Sequence, residues 1–127
     1  MKTVLIIDDD KFLLEVISEV FRIEGFKTLT ATNGEDAVCL AQQRHPDVIV
    51  SDWMMPGMGG YALVKALQSD WRTTQIPFVM LTGWADTKVI QQWTGLPTEQ
   101  IVPKPFDIAT LLHAVRRLTN YGDGFSL

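Results

Sequence analysis

An open α/β sandwich built from five β-then-α units is the fold class this sequence predicts, on three observations. Short apolar runs rich in β-branched residues alternate five times with segments of helical apolar spacing, in one uninterrupted series. Parallel strands need crossover helices, and those crossovers are right-handed, so the alternation predicts one doubly wound parallel sheet with helices on both faces. The two most apolar runs, residues 3–7 and 47–52, belong mid-sheet, whereas residues 99–103 contain a proline without a ladder donor and belong at an edge. Both placements agree with strand order 2-1-3-4-5.

Taken in order, "TVLII" (3–7) reads as a strand buried on both faces. Leu13, Val16, Ile17 and Val20 recur at helical spacing, and Gly25 closes that helix. "KTLTA" (27–31) alternates as a more exposed strand does, and Asn33 caps a helix that runs to about Arg44, where the "HPD" turn stops it. "DVIVSD" (47–52) is the second buried run. The loop "MMPGMGG" (54–60) leads to a helix carrying Leu63, Ala66 and Leu67. Pro77 opens the strand "FVMLT" (78–82), and a helix follows from about Ala85 to Trp93. "EQIVP" (99–103) is the last strand, and "DIATLLHAVRRL" (107–118) the last helix, with Asp107 as its N-cap.

The 127 residues suit one compact domain, residues 1–120, followed by a tail at 121–127, and no output domain is expected after residue 119. No apolar run approaches the roughly 20 residues that span a bilayer, and "MKTVLIIDDD" meets three acids before any cleavage-site pattern, so the cytoplasm is the expected compartment. The single cysteine, Cys39, follows Val38 in a helix and reads as a packing residue. A net charge of −4 without a basic run argues against direct binding of nucleic acid.

In such sheets the ligand site lies beyond the carboxyl ends of the strands, where strands 1 and 3 diverge. Strand 1 is followed by Asp8, Asp9 and Asp10, strand 3 ends in Asp52, strand 4 in Thr82, and strand 5 leads to Lys104. Every strand except the second thus delivers a polar group to one rim. Carboxylates gathered this closely repel, and they can share protons, bind a cation or pair with Lys104. A hard divalent cation such as Mg²⁺ is the best single solution, since it takes oxygen ligands and keeps several waters. Thr82 and Lys104 are surplus to metal binding. A phosphoryl group on one carboxylate explains them, because its oxygens accept from the hydroxyl and pair with the ammonium.

"VLIIDDD", "DVIVSDWMMPGMGG", "FVMLTG" and "VPKPF" together resemble the response-regulator receiver domain of two-component signalling, with all five units in order. The resemblance implies a flavodoxin-like sheet, so the 2-1-3-4-5 order rests partly on it. It also implies that Asp52 accepts the phosphoryl group and that Asp8 and Asp9 are the acidic pair for Mg²⁺, with Asp9 the more direct ligand. The backbone carbonyl of Met54 would complete the protein ligands. Thr82 resembles the switch hydroxyl, and Lys104 the lysine that pairs with the phosphoryl group, ahead of a cis bond to Pro105. The implied donor is a phosphohistidine, on a sensor histidine kinase or a histidine phosphotransfer protein. The implied output is control of a downstream partner by the face of helix 4, strand 5 and helix 5, from a monomer or weak homodimer.

Other residues read more plainly. Asp10 is expected to cap the first helix and His45 to lie exposed in a turn, neither His45 nor His113 is given a role, and Arg116 and Arg117 are expected to form a solvated face, with a partner contact as the alternative. Ile101 stands where the family often has an aromatic residue, and Pro103 before the lysine is unusual. Met54 and Trp84, two residues after Asp52 and Thr82, are bulky and apolar where polar groups would orient water, which predicts a slowly decaying phosphoryl group; Trp84 packing on the next helix is the plainer alternative. Trp53 is expected to sense the site, and Trp93 to form either a partner surface with Ile101 and the last helix or half-buried core. Two other functions compete. A small phosphatase would use Asp8 or Asp10 as nucleophile and needs a substrate cap for which the chain has no room; a scaffold with a vestigial site would not need all of Asp8, Asp9, Asp52, Thr82 and Lys104.

Overall fold

The structure, a computed structural model, describes residues 1–83 and 86–120. Five strands, β1 (Thr3–Ile7), β2 (Lys27–Ala31), β3 (Val48–Asp52), β4 (Phe78–Gly83) and β5 (Ile101–Lys104), pair in parallel in the order β2-β1-β3-β4-β5. The helices between and after them are α1 (Lys11–Ile23), α2 (Gly34–Arg44), α3 (Gly60–Gln68), α4 (Thr87–Thr94) and α5 (Ile108–Thr119).

Alternation along the central strands feeds two cores. Val4, Ile6, Val48, Val50, Val79 and Leu81 face α1 and α5, while Leu5, Ile7, Ile49, Phe78 and Met80 face α2, α3 and α4. Burial on both faces is why β1 and β3 read as continuous apolar runs. The edge strand β2 keeps Lys27 and Thr30 in solvent. At the other edge Pro103 pairs opposite Thr82 and lies exposed, as a residue without an N–H requires.

Helix ends follow their local chemistry. Asp10 caps α1 by accepting from the Phe12 and Leu13 N–H groups, Asn33 caps α2 through the Asp36 N–H, and Asp107 caps α5 through the Ala109 N–H. Gly25 takes φ +95° just beyond α1, a left-handed turn that only glycine makes without strain. Among the described residues no helix is long and apolar enough to cross a membrane.

Four sequence expectations need correction. The buried stripe of α1 is Leu14, Ile17, Ser18 and Phe21, whereas Val16 is exposed and Leu13 and Val20 only half-buried. In α3 the buried set is Leu63, Val64 and Leu67, with Ala66 at its margin. Glu99 and Gln100 do not extend the last strand; Thr98–Gln100 forms a 3-10 turn, and the Gln100 amide donates to the Phe78 carbonyl at 2.8 Å. Cys39 is exposed on the outer face of α2 and packs into neither core. The expected helix start at Ala85, the position of Trp84 and the tail at 121–127 lie outside the described residues.

Candidate functional site

Parallel strands end on one rim, so the residues that close or follow them converge without help from the loops. One carboxylate oxygen from each of Asp8, Asp9 and Asp52 lies within 4.8 Å of the other two. The Lys104 Nζ sits 3.2 Å from Asp52 Oδ1 and 3.9 Å from Asp8 Oδ2. The peptide bond after Lys104 is cis, as the resemblance implied. Met54, just past β3, donates its N–H to Asp52 Oδ1 at 3.4 Å and leaves its side chain in solvent.

The three carboxylates stand in different surroundings. Asp9 is exposed, Asp52 is 8% exposed, and Asp8 is 2% exposed. Asp8 Oδ1 accepts from the Asp10 N–H at 2.9 Å, but its buried Oδ2 has no hydrogen-bond partner. Burial raises the Asp8 pKa above the ordinary 3.8; the Asp52 charge adds to this, while the Asp10 N–H and Lys104 oppose it. A buried carboxylate oxygen without a donor is costly unless something cationic meets it. Lys104 supplies one positive charge against three carboxylates, and it lies nearer Asp52 than Asp8. The cluster is therefore a set of hard oxygen donors of the kind a divalent cation takes.

Thr82 reaches the same rim, 1% exposed, but its hydroxyl donates to Asp86 Oδ2 at 3.3 Å. Asp86 is a neighbour of Thr82 that the sequence reading missed. The signal was present, an aspartate just ahead of a helical pattern, but a helix placed from about Ala85 hides it inside the first turn.

Residues given no role in the site lie away from it. His45 and His113 are exposed, the former with φ +48° at the end of α2. Arg116 is not simply solvated: it pairs with Glu24 across α1 and α5. Trp53 follows Asp52, yet its ring packs against Trp93 at 6.5 Å between centroids rather than lining the site. Trp93 faces α3, with Tyr61 at 5.5 Å, and so does not share a surface with buried Ile101.

Comparison with known proteins bears directly on this arrangement. The family described as response regulator receiver domain matches residues 4–116. The chain belongs to that family. Among curated relatives, the receiver domain is similar to the phosphate regulon transcriptional regulatory protein PhoB of Pseudomonas aeruginosa. The identity is 36% over 127 residues, covering 96% of this chain and 55% of that protein. The DNA-binding dual master transcriptional regulator RpaA of Synechocystis is 32% identical over 97% of this chain and 51% of its own length. This chain thus spans about half the length of the curated relatives it matches.

Solved structures agree on the fold. The receiver domain superposes on the chemotaxis response regulator CheY4 of Vibrio cholerae with TM-score 0.83 and 31% identity, covering 93% of this chain and 98% of that one. The Francisella response regulator 1452 receiver domain gives 0.84 and 31%, over 94% and 98%. At 21% identity, a likeness that shows the fold alone, the receiver domain of sensor histidine kinase PA1611 from Pseudomonas aeruginosa gives 0.82 over 94% and 98%; it is described with a magnesium ion in its active site cleft.

Proposed function

We propose that this receiver domain accepts a phosphoryl group on Asp52 from a phosphohistidine, on a sensor histidine kinase or a histidine phosphotransfer protein, and thereby controls a downstream partner. The observation that carries the proposal is the 3.2 Å pairing of Lys104 Nζ with Asp52 Oδ1 beside the Asp8 and Asp9 carboxylates. That geometry marks Asp52 as the carboxylate whose added charge a fixed cation can offset.

In the reaction an Asp52 oxygen attacks phosphorus in line. The new O–P bond forms as the P–N bond to the histidine breaks, and the leaving imidazole nitrogen takes up a proton. Lys104 remains against the transferred group and balances the negative charge that collects on its oxygens. The Thr82 hydroxyl, on the neighbouring strand, turns to donate to a phosphoryl oxygen. We assign Mg²⁺ to Asp8, Asp9 and Asp52, with the Met54 carbonyl as a further ligand; the unpartnered Asp8 Oδ2 and the all-oxygen donor set fit it. Bound there, the ion would offset charge on the phosphoryl oxygens.

The partner-facing surface is assigned to α4, β5 and α5, and the domain to residues 1–120. Curated relatives are described as transcriptional or DNA-binding regulators, and the matched region covers only part of them. The test is incubation with acetyl phosphate and Mg²⁺, read by intact mass. Wild type is expected to gain one phosphoryl group and Asp52→Asn none. Steady turnover of p-nitrophenyl phosphate with equal labelling of both proteins would instead indicate a phosphatase built on Asp8.

A further inference from the structure

We propose that Asp86 is a positioning residue that exchanges its carboxylate between the Thr82 hydroxyl and the N-terminus of α4 as the site is phosphorylated. The proposal rests on the phosphoacceptor reading above and names the route by which that site reaches α4.

The helix starts supply the first observation. α1, α2 and α5 each begin with an Asp or Asn whose backbone is extended, at ψ 102°, 165° and 129°, and whose side chain accepts a first-turn N–H. The residue ahead of α4 is also an aspartate, but Asp86 lies in a 3-10 turn, with φ −92° and ψ −3°, and its side chain makes no capping bond. No other acid lies in the first turn of α4.

The second observation is where that carboxylate has gone. Asp86 Oδ2 accepts the Thr82 hydroxyl at 3.3 Å, a long bond and hence a weak one. A hydroxyl carries one proton and serves one acceptor at a time. Phosphoryl oxygens on Asp52 are strong, charged acceptors, so a Thr82 hydroxyl drawn to them leaves Asp86 Oδ2 without its donor. The added negative charge also disfavours a second anion on that side of Thr82. The first-turn amides of α4, at Lys88 and Val89, are the donors a capping side chain at position 86 meets. Reaching them requires the Asp86 backbone to leave the helical region for the extended one, directly before Thr87, the first residue of α4. Ile90 and Trp93 sit on the same short helix, in the core and against Tyr61 respectively.

The test is amide hydrogen exchange by NMR on ¹⁵N-labelled full chain, with and without beryllofluoride plus Mg²⁺, and ¹⁹F signals reporting binding independently. In wild type, protection at Lys88 or Val89 is expected to rise roughly five-fold on binding, the size a side-chain cap confers. Thr82→Val, which removes the donor but keeps the shape, is expected to show that protection before anything is added. Asp86→Ala is expected to bind beryllofluoride without the rise, and Asp86→Asn, which still caps, to restore it. A wild-type rise in Asp86→Ala, or unchanged basal protection in Thr82→Val, overturns the exchange alone. Absence of bound fluoride in wild type overturns the exchange together with the phosphoacceptor reading.

Discussion

Asp8 carries the largest electrostatic cost in the site. One of its oxygens is held by the Asp10 N–H, and the other is buried with no hydrogen bond, close to a second carboxylate. Its pKa is raised from 3.8, so between 3.8 and the raised value the folded state still holds a proton that the unfolded state has lost. Stability from this group therefore falls as pH rises through that window. Asp8→Asn keeps the acceptor for Asp10 and removes the buried charge. It is expected to stabilise the metal-free protein at pH 7 by about 1 kcal/mol, roughly 3–5 °C in Tm, while Mg²⁺ stabilises it far less than wild type. Thermal unfolding with Mg²⁺ and with EDTA checks this; a lower Tm for the metal-free variant would contradict it. The strand-end set Asp8, Asp9, Asp52, Thr82 and Lys104 was legible because parallel strands deliver such residues to one rim whatever the loops do. Asp86 was not, because its role depends on a side chain choosing Thr82 over its own helix, a competition that no spacing records.

At the scale of elements, strands were more legible than helix faces. A strand buried on both sides announces itself as a continuous apolar run, and β1 and β3 fall within a residue of their expected limits. α1 carries two overlapping apolar stripes in "KFLLEVISEVFRI", and periodicity alone does not say which faces the sheet. Packing turns Leu14, Ile17 and Phe21 inward and leaves Phe12 80% and Ile23 72% exposed, with Ser18 interrupting the inner stripe. The loop after β3 shows a constraint of another kind. A Cβ on Gly60 would lie 2.7 Å from Trp53 Cε3, 3.0 Å from Trp53 Cα and 3.1 Å from Met80 Sδ. The first turn of α3 thus fits under Trp53 only because position 60 has no side chain. Gly60→Ala is expected to cost about 1–3 kcal/mol despite the better helix propensity of alanine, read as a lower urea midpoint at unchanged slope. An unchanged midpoint would show that Trp53 shifts freely.

For the whole molecule, the order 2-1-3-4-5 rested partly on the resemblance to receiver domains and agreed with two placements, apolar strands inside and the proline-bearing strand at an edge; the sheet bears out all of it. That order puts β1 beside β3 and β4 beside β5, which is why residues as far apart in the chain as Asp8 and Lys104 meet at 3.9 Å. The surface was less legible: Trp93 packs toward α3 and Arg116 toward α1, because helix-to-helix contacts depend on rotations that a single sequence does not encode. The central claim is that this fold presents Asp52, and neither Asp8 nor Asp9, as the phosphoryl acceptor. An acyl phosphate is reduced by borohydride to the alcohol, so an aspartate that carried phosphate becomes homoserine. Treatment with acetyl phosphate, then borohydride, then peptide sequencing by mass spectrometry reads the acceptor directly. Homoserine is expected at position 52 alone, in the presence of Mg²⁺ and not with EDTA. Homoserine at position 8 or 9, or equal conversion without the metal, would contradict it.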